Sequence, residues 1–78
     1  VHSKTINLFT VESNISLQLE SIQKKYKRFV DIGSYPFFRL GKIGVSVVSR
    51  SSSKNKLTSV QKDLMKVVKS KKIKILNI

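Results

Sequence analysis

Residues 31–50 read DIGSYPFFRLGKIGVSVVSR, two strand-like runs around a glycine. How they pair decides the fold. We read a β-hairpin, with strands over 29–40 and 43–50. The two-residue loop Gly41-Lys42 has glycine first, as a type II′ turn requires. That loop sets Leu40 opposite Ile43, Phe38 opposite Val45 and Pro36 opposite Val47. All six are apolar and share one face. Tyr35, Phe37 and Arg39 share the other face with Gly44, Ser46 and Val48, and Gly44 faces Arg39. A one-residue slip would invert every side chain, so the sorting of the faces supports the register. Pro36 has no N–H to donate, which places its strand at a sheet edge.

The same stretch contains Gly41-Lys42-Ile43-Gly44. A GxxG of this kind clamps the nucleic-acid backbone in one class of RNA-binding domain. There it joins two helices, so that helix-end amides meet phosphate. Here the flanks FFRL and VSVV are strand-like, and the tetrapeptide reads as a turn. A nucleotide-binding P-loop would need more glycine and a GK[ST] ending.

Outward from the hairpin, residues 4–9 alternate as a strand. Ile6 and Leu8 point one way; Thr5, Asn7 and Phe9 point the other. Residues 11–27 read as a helix, with Ile15, Leu19, Ile22 and Tyr26 on one stripe. Thr10 is the expected N-cap, and Glu12 suits the positive end of the helix dipole. The polar run 49–56 is a loop ending in a cap at Ser53. A second helix follows to about Ser70, apolar along Leu57, Val60, Leu64, Val67 and Val68. Residues 72–78 form a last strand, with Ile73 and Ile75 on one face and Lys74, Leu76 and Ile78 on the other.

The order βαββαβ specifies an α+β, ferredoxin-like two-layer sandwich. Right-handed crossovers put both helices on one face of a four-stranded antiparallel sheet. The second and fourth strands are then the edges, which suits Pro36 on one and Lys72 and Lys74 on the other.

Sixteen Lys+Arg stand against four Asp+Glu, a formal charge of +12 over 78 residues. Such an excess favours polyanions. Only Arg28, Arg39 and Arg50 are arginine, the residue suited to planar bidentate contacts. Abundant Lys, Ser, Ile and Asn are also the codon choices of an AT-rich genome, and a lysine-rich solvated surface explains the charge as well. No cysteine is present and the one histidine is His2, so folding relies on packing without disulfide or zinc. No apolar run approaches the ~20 residues of a membrane span. The N-terminus does not read as a signal peptide. A cytoplasmic domain is expected, with no cofactor.

Glu12, Glu20, Asp31 and Asp63 are scattered, and no nucleophile stands with a base. The domain is expected not to be an enzyme. What remains is an apolar outer sheet face. Phe9, Tyr35, Phe37, Val48, Leu76 and Ile78 cannot all enter a core covered by two helices, and such a face is usually covered. Phe9, Tyr35, Phe37, Arg39 and Val48 form the candidate interface. Exposed aromatics on such a sheet also stack bases in RNA recognition motifs. Those motifs carry aromatics on the third strand, however, and IGVSVVSR has none.

The GSYP region carries a family resemblance. Ile32, Gly33, Ser34, Tyr35, Pro36 and Phe38, followed by Gly44, Val45, Ser46, Val48, Arg50 and Ser51, are similar to a segment of the CinA-type (competence/damage-inducible) proteins. These are molybdopterin-binding-domain proteins related to the MoaB/Mog fold. The upstream SIQKKY is also similar. The resemblance implies a small C-terminal, KH-like α+β module. In relatives the larger protein carries pyrophosphatase, nicotinamide-nucleotide deamidase or FAD synthase activity. The larger domain's GGLGPT-type motif and acidic residues are absent here, so no catalytic role carries over. The expectation is one accessory domain, residues 1–78, excised from a longer multidomain protein. Its partners would be the missing N-terminal domain or a homodimer mate. The alternative is a KH- or RRM-like module that binds RNA or DNA weakly.

Overall fold

The computed structural model describes residues 1–76. The expected end of the last strand, with Ile78 on the outer face, lies outside the described residues. The chain runs β1 (His2–Phe9), a 3-10 turn (Glu12–Asn14), α1 (Ser16–Tyr26), β2 (Asp31–Arg39), β3 (Lys42–Ser51), α2 (Lys54–Ser70) and β4 (Lys74–Ile75). The antiparallel sheet has the order β2-β3-β1-β4, so β2 and β4 are its edges, as the ferredoxin-like plan requires.

Both apolar stripes face the sheet. Ile15, Leu19, Ile22 and Tyr26 from the first helical segment meet Leu57, Val60, Leu64 and Val68 from α2 over Leu8, Val45 and Val47, all buried. Burying each such side chain contributes roughly 1.5–3 kcal/mol. Ser53 caps α2 by accepting from the Lys56 N–H at 3.3 Å. At the other end Lys72 takes a left-handed φ of 55°. The Ile73 N–H then reaches the Val68 carbonyl at 2.9 Å, and the Lys72 N–H reaches Lys69. This is a Schellman closure, and it folds Ile73 back onto the core.

The expected helix over 11–27 is interrupted. Ile15 has φ −122°, outside helical geometry, and separates the 3-10 turn from α1. Thr10 caps neither helix; its hydroxyl accepts from Asn14 Nδ2 at 2.9 Å. Glu12 is drawn towards β2, where its carboxylate accepts from Ser34 Oγ at 3.1 Å. Gln23 protects the edge of the sheet. It accepts from the Ile32 N–H at 2.6 Å and donates to the Val30 carbonyl at 2.7 Å, satisfying backbone groups where α1 hands over to β2.

The hairpin turn is also one residue earlier than expected. Leu40 and Gly41 both have positive φ, 53° and 75°, the signature of a type I′ turn. Phe38 therefore pairs with Ile43, Phe37 with Gly44 and Pro36 with Val45. The faces survive this correction, because moving the turn by one residue changes pairing by two and preserves parity. The neighbours change. Gly44 lies beneath Phe37, not opposite Arg39, and a Cβ there would also meet the Leu8 backbone oxygen at 2.8 Å.

The two helices are pinned by a small polar cluster. Tyr26 Oη and Lys25 Nζ donate to Asp63 Oδ2 at 2.9 and 3.2 Å. Burial pushes the Asp63 carboxyl up, but the hydrogen bonds from Tyr26 and Lys25 outweigh it and hold it below its ordinary value of 3.8. The bond to Asp63 raises both donors.

With the Asp63 pKa depressed on folding, its contribution is present above the ordinary value of 3.8 and is lost as pH falls through the folded-state value. Thermal melts across acid pH should show that loss, and Asp63→Asn should flatten it while lowering the melting temperature at neutral pH. Gly44→Ala should cost roughly 1–3 kcal/mol in denaturant unfolding, because the Leu8 backbone cannot give way. Gly33→Ala should cost under about 0.5 kcal/mol, since only the free end of Tyr35 must swing aside.

Candidate interaction surface on the open sheet face

Period-two alternation fixes what the uncovered side of the sheet displays. β2 contributes Gly33, Tyr35, Phe37 and Arg39. β3 contributes Lys42, Gly44, Ser46, Val48 and Arg50, and β1 contributes Thr5, Asn7 and Phe9. The five expected interface residues therefore share one face. Tyr35 pairs with Ser46 and Phe37 with Gly44, while Val48 lies between Thr5 and Gly33. Arg39 stands at the hairpin end, opposite Lys42. Phe9 sits across the sheet, paired with Lys74 of β4.

Two rings are positioned by glycines. The Tyr35 ring lies over Gly33 and the Phe37 ring over Gly44, each where a side chain would otherwise stand. This gives a physical role to two glycines of the GSYP-type pattern. Phe37 is half-buried as a result, whereas Phe9 and Tyr35 keep 51% and 56% of their surface exposed. Leu76 is buried; its N–H donates to the Asn7 carbonyl, which places it beside the outward-facing Asn7. Between the aromatics runs a polar seam, in which Ser46 Oγ donates to Asn7 Oδ1 at 2.6 Å.

Charge is divided unevenly between the layers. Of the basic residues only Arg39, Lys42, Arg50 and Lys74 lie on strands at outward-facing positions, with Asp31 opposite Arg50. Lys4 of β1 has the opposite parity, and the helices and their connections carry the others, including Lys54, Lys56, Lys62, Lys66 and Lys69 on α2. Among the described residues two ion pairs form, Lys24 with Glu20 and Lys25 with Asp63. Most of the cationic surface is thus solvated on the side away from the aromatics. Lys56 lies 4.6 Å from the centroid of the Phe29 ring.

The four acids do not assemble into a catalytic set. Glu12 binds Ser34, Glu20 pairs with Lys24, Asp63 joins the helix cluster, and Asp31 lies on β2. Among the described residues no three of His, Asp and Glu gather as metal ligands. Gly41-Lys42-Ile43-Gly44 spans the turn and the start of β3, with no helix on either side. Also among the described residues, no helix is long and apolar enough to cross a membrane.

One surface escaped the sequence reading. Alternation places Phe38, Leu40 and Ile43 on the face away from Tyr35 and Phe37, yet they are 73%, 83% and 53% exposed. The signal lies in strand lengths. The β1–β3 register ends at Leu8–Val45, so the hairpin projects beyond its neighbour β1.

Over residues 1–76 the chain matches the family described as FAD synthase, middle domain. No curated protein and no solved structure shows a significant match. In FAD synthase that domain sits next to a MoaB/MogA molybdopterin-binding-like domain, which agrees with the MoaB/Mog connection expected from the GSYP segment. The match names neither CinA nor a KH module, and it replaces a C-terminal position with a middle one. Because it spans nearly the whole length, the chain belongs to the FAD synthase middle-domain family.

Proposed function

We propose that this is a non-catalytic packing domain of a FAD-synthase-type protein, whose open sheet face docks on an adjoining MoaB-like domain or on a dimer mate. The observation that carries it is the pair of half-exposed rings, Phe9 and Tyr35, on the face opposite the helices. Together with Phe37, Val48 and the aliphatic stem of Arg39 they form an apolar patch crossed by one polar seam. Patches of this kind on a sheet mark protein interfaces. The Ser46–Asn7 bond already satisfies the seam, so a partner could cover it without orphaning either group. Synthesis of FAD would then be carried by other parts of the longer chain. The likeness to CinA-type proteins supports the same architecture, since both readings put a MoaB-like neighbour beside the domain.

Phe9→Asp and Tyr35→Asp in the full-length protein test this. Both side chains are half exposed, so the domain should keep its own melting transition. Limited proteolysis at the domain junctions should quicken by about tenfold, as expected when an interface anchor is lost. Unchanged proteolysis would remove the proposal.

The net charge of +12 favours a second reading, a weak RNA or DNA contact. Its cations lie mainly on the helix layer, so any such contact would be electrostatic and would not stack bases on the sheet. Fluorescence titration with single-stranded RNA should then show an affinity that falls steeply between 50 and 200 mM salt, as is usual for phosphate contacts, by about tenfold or more. Absence of binding at low salt eliminates this reading.

A further inference from the structure

The tip of the β2–β3 hairpin breaks three local rules at once. First, a type I′ turn favours Asn-Gly, yet Leu40 holds the first central position with φ 53°. A left-handed conformation is costly for leucine, which cannot offset it with a local hydrogen bond. Second, Arg39 and Lys42 are directly opposed, a like-charged cross-strand pair, with no ion-pair partner among the described residues. Third, the apolar pair Phe38–Ile43 and the adjoining Leu40 are left largely in water. β1 ends at Phe9 and pairs with β3 only up to Leu8–Val45, so this tip is a two-stranded extension. Such a ribbon is at best marginally stable alone. Local choices that disfavour the free state concentrate where a protein is built for something else.

We infer that the tip is a docking knob, in which Phe38, Leu40 and Ile43 enter an apolar groove with carboxylates on its rim, on an adjoining domain of the same polypeptide. The inference rests on the family membership, which implies further domains in the chain. The rest follows from the tip itself. Arg39 and Lys42 project from the opposite, outward face of the same two-stranded tip, so carboxylates on the rim of the groove would meet them there. A second copy of this domain is a poor occupant, because it brings the same net charge of +12 and four acids, three of them already engaged within the fold. Phe38 and Ile43 lie on the helix side of the sheet, so the apolar part of the knob is distinct from the open face that carries Phe9 and Tyr35, and only its cations share that face. One domain would thereby hold neighbours at two separate places, the open face by area and the tip by insertion.

The test uses the full-length protein with Phe38→p-benzoylphenylalanine for photo-crosslinking, read by peptide mass spectrometry. The expected product is a crosslink to an acid-flanked apolar segment of another domain in the same chain. Leu40→Asn, which installs the residue this turn prefers, should cut the yield by about tenfold without lowering the melting temperature. A purely structural Leu40 would give the opposite pattern, a lower melting temperature with an unchanged crosslink, and that result overturns the inference. So does a crosslink to a second copy, one that forms only with phosphatidylserine vesicles, or none at all. Tyr35→Asp separates this knob from the open face. If quicker proteolysis follows Tyr35→Asp but no crosslink forms at position 38, the knob fails and the open-face reading stands.

Discussion

Strand β3 is paired along both edges, and the rest of the domain hangs on that double pairing. Val45 and Val47, near its middle, have no exposed surface, and each sits between the helices above and two strands beside. A strand held on both sides cannot rotate, so its pleat commits every residue to a face. The odd positions from Val45 to Ser51 go inward. Among the even positions, which go outward, the central Gly44, Ser46 and Val48 are small or slender. Gly44 leaves the room into which Phe37 of β2 settles, as Gly33 of β2 does for Tyr35. The inward serines are served as well: Gln61 Nε2 donates to Ser49 Oγ at 3.3 Å, and Ser51 Oγ donates to the Phe29 carbonyl.

The helix layer and the open face differ in physical character, and the difference bears on how a middle domain works. The helix side is cationic and mostly solvated, apart from the Lys25–Tyr26–Asp63 cluster that ties α1 to α2. The open face is aromatic with a single polar seam. A domain between others needs surfaces that accept neighbours without unravelling its own core. Here the main apolar cluster lies between the helices and one face of the sheet. The other face can therefore be covered or uncovered at little cost to folding.

Much of this was legible in the residues. The stripe Ile15–Leu19–Ile22–Tyr26 and the α2 arc could only be amphipathic helices, and Ser53 was recognisable as a cap because a polar loop precedes an apolar period. Pro36 marked an edge strand because it lacks a donor. The five interface candidates followed from strand parity, and the structure brings them to one face. The misses share a cause. Ile15 satisfies the helical period yet leaves helical geometry, and the turn before it carries Glu12, which binds Ser34 of β2, a contact that periodicity cannot contain. Thr10 resembled a cap by position, but a cap needs a helix that starts where expected. The CinA likeness and the observed family agree on a MoaB-like neighbour and differ in name, since a short GSYP segment records a local arrangement of rings over glycines.

Composition and periodicity alone determined the layer plan, the edges and the membership of each face. These are properties of period two and period 3.6, which belong to the backbone and need no partner to be read. Only the folded molecule decided where the hairpin turns and what its tip is left touching. Turns at Leu40-Gly41 and at Gly41-Lys42 put the same side chains on the same faces, so no pattern separates them. The choice was made by contacts across the sheet, with Phe37 lying over Gly44 and β1 ending short of the tip. For the same reason an apolar pair that reads as core from its alternation stands in water: burial depends on whether another element reaches that far, and reach is a property of the assembled fold.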